Sequence, residues 1–187
     1  MTIPPDHTIS TARCTLRGPS EADFPHVQSA LQVPGFNDGL AFGADHSIEG
    51  LRRMLARNRD NWQRGRAYAF TFENRASGAF LGRVALRVTP EPGRWNLAFW
   101  THPDHQGHGY VTEASRAVVT FGFEVLGIET IEAGHVAENK ASRRVLEKLG
   151  MKEEGWLERG LMKDGAWIPG YKMAIKKGEQ LHEPPTT

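Results

Sequence analysis

Apolar and polar positions along this chain follow two rhythms, one with the period of a helix and one with the period of a strand, and the switches between them predict its elements. Over residues 47–64, Ile48, Leu51, Leu55 and Trp62 recur at helical spacing while Arg52, Arg53, Arg57, Arg59 and Arg64 fill the other positions. That pattern predicts an amphipathic helix. The middle of the chain changes rhythm: residues 68–72, 80–88 and 95–100 are strand-like runs separated by turn-forming stretches at 74–78 and 90–93. They predict an antiparallel meander. Ahead of these elements, residues 13–17 read as a first strand. Ser20-Glu21-Ala22-Asp23 then supplies a cap and early acidic residues for a helix to about Gln32, with Pro25 in its first turns, where a missing N–H costs least. After the meander come a helix over 109–126, a strand over 130–136, a helix over 140–149 closed by Gly150, and strands at 156–162 and 167–175 around an Asp164-Gly165 hairpin signal. Residues 33–46, rich in Gly and Asn with Pro34, read as a loop long enough to cover a binding site.

The predicted order is β-α-α-β-β-β-α-β-α-β-β, an α/β (α+β) arrangement in a single domain over residues 1–177, with a polar, flexible tail over 178–187. A chain of 187 residues fits one core more naturally than two. Its 23 basic and 22 acidic residues set up no overall field for nucleic acid or an anionic membrane, so partner choice falls to a local site. The single cysteine, Cys14, excludes an internal disulfide framework, and Pro4-Pro5-Asp6-His7 does not read as a signal peptide. The expected compartment is therefore the cytoplasm. No apolar run approaches the roughly 18 residues of a membrane span.

The chemically informative stretch is Trp100-Thr101-His102-Pro103-Asp104-His105-Gln106-Gly107-His108-Gly109-Tyr110-Val111-Thr112-Glu113-Ala114, which carries a strand into a helix through two glycines. Gly107 and Gly109 allow positive φ and close backbone approach, and the helix begins where several N–H groups lack internal partners. This is anion-binding geometry. A P-loop would need lysine and then Ser or Thr after the last glycine, but Tyr110 follows Gly109. A dinucleotide fingerprint would need a third glycine or alanine where Thr112 stands. His102, His105 and His108 span a proline and a glycine turn rather than one helix face, which argues against a metal site and points to solvent exposure or contact with phosphate oxygens.

These residues resemble the GNAT family of acetyltransferases, whose pyrophosphate turn reads Arg/Gln-x-x-Gly-x-Gly/Ala. Gln106-Gly107-His108-Gly109-Tyr110-Val111 matches except that Val111 replaces the final small residue. The runs Gly109-Tyr110-Val111-Thr112-Glu113-Ala114, Glu138-Asn139-Lys140-Ala141-Ser142-Arg143-Arg144-Val145-Leu146 and Leu149-Gly150-Met151, with the opening Arg13-Cys14-Thr15-Leu16-Arg17, are similar to the RimJ/RimL branch. That branch acetylates protein N-termini and, in its relatives, small amines or antibiotics. The resemblance implies a single GNAT-like domain with a mixed, mostly antiparallel sheet. It also implies a cleft between splayed parallel strands 4 and 5 that takes acetyl-CoA, without a metal. Trp100, Thr101, Gln106, Gly107, His108, Gly109, Tyr110, Val111, Thr112 and Asn139 would contact the cofactor, with one amide near Phe99 or Trp100 facing the thioester oxygen.

Asn139 is equally an N-cap by its position. Ser142 is the candidate for assisting the departing thiolate, since the tyrosine that many family members place seven residues after the asparagine is Leu146 here. An α-amine is about a tenth neutral at neutral pH, a lysine amine about one part in a thousand, so an N-terminal acceptor asks less of a base. His135, Glu129, Glu132, Glu153 and Glu158 remain open as bases. The expected partner is an amine substrate, a protein or peptide N-terminus of ribosomal-protein type, with a homodimer left open. The competing readings are a small-molecule amine acetyltransferase acting on a polyamine or an antibiotic, and a CoA-sensing module without catalysis.

Overall fold

The computed structural model describes residues 3–36, 45, 47–163 and 166–179, with the side chains of 161–163 excepted. A two-residue strand β1 (Ile9–Ser10) turns into β2 (Cys14–Arg17), and a short 3-10 turn leads into α1 (Phe24–Leu31). Helix α2 (Ile48–Gln63) precedes β3 (Ala67–Asn74), β4 (Phe80–Val88) and β5 (Arg94–Thr101). The chain ends through α3 (Tyr110–Glu124), β6 (Thr130–Val136), α4 (Lys140–Lys148), β7 (Lys152–Lys163) and β8 (Ala166–Lys176). The strands form one sheet in the order β1-β2-β3-β4-β5-β6-β8-β7. Among its described pairings only β5 with β6 is parallel.

Every expected element is present. The pattern misses β1, which is too short to carry a rhythm; it is held by a tight turn in which the Cys14 N–H donates to Thr11 Oγ1 at 2.9 Å and the Thr11 N–H to the Cys14 carbonyl at 2.8 Å. Ile48 also departs from expectation. It is the first residue of α2, directly after the Ser47 cap, and is 40% exposed, while Leu51, Leu55 and Trp62 form the buried stripe. The Asp164-Gly165 turn, residues 37–44 and 46 of the expected cover loop, and the expected tail beyond Glu179 lie outside the described residues.

Alternation along the strands divides the sheet into two faces. Leu16, Phe70, Phe72, Val84, Leu86 and Leu97 join Val118, Val119 and Phe121 of α3, Leu146 of α4 and Leu149 at its C-cap in the main core. Gly122 lets α3 approach closely: a Cβ there would stand 2.9–3.2 Å from methyl carbons of Leu86, Ile131 and Ile128. A second cluster joins Phe24 and Val27 of α1, Leu51 and Leu55 of α2, and Phe80, with Trp100 packed against it. Between α1 and the strands lies Asp23, 1% exposed, which accepts hydrogen bonds from Arg17 Nη2 (2.7 Å), Thr71 Oγ1 (2.6 Å) and the Ser20 N–H (3.1 Å), with Arg83 Nη2 at 3.4 Å. Burial pushes its pKa up, but the bonds from Arg17, Thr71 and Ser20 outweigh it and hold the carboxyl below its ordinary value. No helix among the described residues is long and apolar enough to cross a membrane.

Candidate active site

The site begins where the sheet stops pairing. β5 and β6 are in register at Arg94↔Thr130, Trp95↔Ile131 and Asn96↔Glu132, and nowhere beyond. Each strand nevertheless continues, β5 to Thr101 fully paired with β4, and β6 to Val136 fully paired with β8. The backbone edges of residues 97–101 and 133–136 therefore face one another across a widening gap without a ladder. Such edges carry N–H and C=O groups able to bind an extended chain as an added strand. This is the splay expected between the fourth and fifth strands, which become β5 and β6 once the short β1 is counted. Trp95, Leu97 and Phe99 turn toward the core on one face of β5, while Trp100 packs toward α1 and α2 and meets the Phe36 ring edge-on at 5.5 Å.

At the open end, β5 runs through a 3-10 turn (Pro103–His105) into the two glycines and α3. Gly107 and Gly109 have φ of 82° and 77°, left-handed values that favour glycine. The first backbone amide of the helix start to find a carbonyl is that of Glu113, which donates to Gly109 at 3.1 Å. The consecutive N–H groups of residues 107–112 have no acceptor among the described residues, and no side chain caps the helix. The surface over the turn is open: a Cβ on Gly107 would meet nothing within 4 Å. A fan of free amides at a helix start, with room above it, fits a phosphate group. Gln106 Nε2 donates to the Thr101 carbonyl at 3.4 Å, and Thr112 is buried. Val111 is half-buried with its side chain packed against the core, so its branching is accommodated inward.

His102 corrects the sequence reading that placed the three histidines in solvent or against phosphate. It is buried, its Nδ1 accepts from the Asp104 N–H at 3.3 Å, its Nε2 lies 3.0 Å from Ser29 Oγ, and burial lowers its pKa. Among the described residues no cluster of His, Cys, Asp and Glu is placed to hold a metal ion.

One feature escaped the sequence. Arg13, at the head of β2, reaches the glycine turn: its N–H and its Nε both donate to Glu113 at 2.7 Å, and its Nη1 donates to the His108 carbonyl at 3.1 Å. Thr11 Oγ1 donates to the same Glu113 carboxylate at 2.6 Å, and the Arg13 guanidinium lies 4.7 Å from the centre of the Tyr110 ring. Burial pushes the Glu113 pKa up, but the Thr11 and Arg13 bonds win and hold it below its ordinary value. The only hint in the sequence is an acidic residue in the first turn of α3, which alone reads as a response to the helix dipole.

Helix α4 starts at the other lip of the gap. Asn139 Oδ1 accepts from the Ser142 N–H at 2.9 Å and so caps the helix, while Asn139 Nδ2 and the half-buried Ser142 hydroxyl have no protein partner among the described residues. The cap and a ligand contact are therefore compatible in one side chain. Most of the candidate bases are engaged. Glu132 pairs with Arg94 (3.0 Å) and Lys172 (2.9 Å), Glu153 with Arg143 (3.1 Å), and Glu158 accepts from Trp156 Nε1 (3.0 Å). His135 is 7% exposed, with Nδ1 2.9 Å from the Val136 carbonyl, its ring against Tyr171, and Nε2 without a partner. Glu129 is exposed and lines a cavity of about 380 Å³ near Gly93 and Gly127, which includes no residue of the glycine turn.

Comparison with known proteins agrees with this geometry. The family described as "Acetyltransferase (GNAT) domain" matches residues 13–152. A Bacillus subtilis protein, probable N-acetyltransferase YjcK, is 30% identical over 133 residues, or 70% of this chain and 73% of that protein. The structure of Mycobacterium smegmatis RimJ in complex with CoA-disulfide superposes with a TM-score of 0.79 at 23% identity, over 91% of this chain and 88% of that one. RimL, a ribosomal L7/L12 alpha-N-protein acetyltransferase in complex with coenzyme A, gives 0.80 at 18% identity over 91% and 98%.

Proposed function

We propose that this chain, which belongs to the GNAT acetyltransferase family, transfers the acetyl group of acetyl-CoA to the α-amine of a protein or peptide N-terminus. The observation that carries the cofactor assignment is the run of acceptor-less amides over residues 107–112 at the mouth of the β5–β6 gap. The pyrophosphate would lie on those amides, gaining hydrogen bonds and the helix-end field, the latter worth about 0.3–1 kcal/mol. The pantetheine arm would lie in the gap alongside Trp100 and Thr101, beyond the last β5–β6 pair, which brings the thioester down between the strands. An N–H at Phe99 or Trp100 would then face the thioester oxygen, where charge develops.

The acceptor nitrogen, neutral when it attacks, bonds to the acetyl carbon. The carbon–sulfur bond breaks, the surplus proton leaves the nitrogen for a base or water, and the departing sulfur takes a proton. The Ser142 hydroxyl, without a partner among the described residues and one turn after the Asn139 cap, is suited to that last transfer. The α-amine is favoured because its reference pKa of about 7.7–8.0 leaves a usable neutral fraction, and because solved structures of similar fold are named for N-terminal protein acetylation.

The test is an acetylation assay with matched substrates: a peptide with a free N-terminus and no lysine, an N-terminally blocked peptide with one lysine, spermidine and an aminoglycoside. Preferential turnover of the free N-terminus is expected. Preference for any of the others would replace the acceptor while leaving acetyl transfer in place.

A further inference from the structure

We propose that Arg13 is a phosphate-binding residue of the cofactor turn, delivered to it by the β1–β2 hairpin; this rests on the placement of acetyl-CoA above. The two ends of the contact are about a hundred residues apart in sequence, and the Arg13 side chain meets the glycine turn and the first turn of α3. The tight Thr11–Cys14 turn fixes the backbone at Arg13. Glu113 holds the Arg13 N–H and Nε, and the His108 carbonyl, between the two left-handed glycines, holds Nη1. The guanidinium is further seated over the Tyr110 ring, whose hydroxyl lies 3.4 Å from Asn74 Nδ2.

A guanidinium carries five N–H donors in a rigid planar fork. Here Nε and Nη1 are committed to the protein, while Nη2 has no acceptor among the described residues and lies beside the turn, 3.6 Å from where a Cβ of Gly109 would stand. The side chain is half exposed, so that donor edge is open to a ligand. Charge points the same way. Glu113 sits in the first turn of the helix that would receive a pyrophosphate, and its carboxylate alone would repel that group. Arg13 cancels this charge and adds free donors next to the free amides of residues 107–112. A pair serving only as surface decoration would need neither the His108 contact nor an open Nη2.

The experiment compares acetyl-CoA with S-acetylpantetheine, which carries the same thioester and arm but no phosphate, in wild type and in Arg13→Met, Arg13→Lys and Arg13→Met/Glu113→Gln. Arg13→Met is expected to raise the KM for acetyl-CoA about 10-fold or more, the scale of a lost hydrogen bond to a charged group. It should leave kcat within about twofold and the KM for S-acetylpantetheine unchanged. Arg13→Lys, which keeps the charge but not the fork, and the double variant, which removes the repelling carboxylate but restores no donor, should each recover only part of the loss. An unchanged KM in Arg13→Met, an equal rise for both thioesters, or full rescue in the double variant would each overturn the assignment. The turn as phosphate site fails separately, if wild type shows no preference for acetyl-CoA over S-acetylpantetheine.

Discussion

Replacing Gly109 with valine tests the phosphate turn most directly. Gly109 sits at φ 77°, and a Cβ built on it would meet nothing closer than Arg13 Nη2 at 3.6 Å, an ordinary contact. The substitution therefore acts through the backbone. An L residue in the left-handed region costs about 1–2 kcal/mol, and a β-branched one fits worst. If the backbone holds, that strain comes off the folded state, about 2–8 °C in Tm for a domain of this size. If it relaxes, the N–H groups of residues 107–112 turn away from their common focus. Losing one amide contact to a charged phosphate, about 1.5–3 kcal/mol, weakens CoA binding about 10- to 150-fold.

Gly127 separates the two effects. It has φ 68° in the turn between α3 and β6, with nothing within 4 Å of a built Cβ. Gly127→Val should carry similar strain without touching the turn. Calorimetric titration of CoA, paired with thermal melts of both variants, should show comparable losses in Tm but a loss of affinity in Gly109→Val alone. Equal CoA affinity in the two variants would refute the reasoning.

Two further substitutions separate catalysis from stability. Ser142→Ala removes a hydroxyl that no group among the described residues uses and leaves the N–H bonded to Asn139. Melting temperature and CoA affinity should hold while kcat falls by about 10²–10⁴-fold; steady-state rates within about twofold of wild type would dismiss the role. Asp23→Ala leaves Arg83, with a side chain 10% exposed, without its carboxylate and should cost about 3–5 kcal/mol by denaturant unfolding at pH 7. Because the folded Asp23 pKa lies below its ordinary value, its contribution is present above about pH 4 and is lost as pH falls through the folded value. The variant's stability should accordingly fall less on acidification than wild type's, and a variant as stable as wild type at pH 7 would count against the network.

What was legible in the sequence was local. Helices α2, α3 and α4 and strands β3 to β6 each carry their own rhythm, and the glycine turn carries its chemistry within a dozen residues, so both could be read without a fold. What was not legible depends on residues that meet only after folding. Asp23 looks like an acidic residue at a helix start, and only the register of β2, β3 and β4 brings Arg17, Thr71 and Arg83 around it. Glu113 likewise looks like a helix-start acid until the β1–β2 hairpin lays Arg13 beside it.

The splay shows the same division. Nothing in the composition of residues 94–101 or 130–136 says that pairing stops after Asn96 and Glu132, and the resemblance alone supplied that expectation. The structure supplies the reason the gap can stay open. β4 pairs with β5 from Trp95 to Thr101, and β8 with β6 from Thr130 to Val136, so each strand is anchored by an antiparallel partner and does not need the other. Beyond Asn96 and Glu132 the facing edges share no ladder, which leaves room for a third extended chain. The two helices that follow these strands, α3 and α4, begin at the same open end, one with free amides and the other with Asn139 and Ser142. A ligand with a phosphate at one end and a thioester at the other would meet donors suited to the phosphate at the mouth and strand edges that share no ladder along the gap.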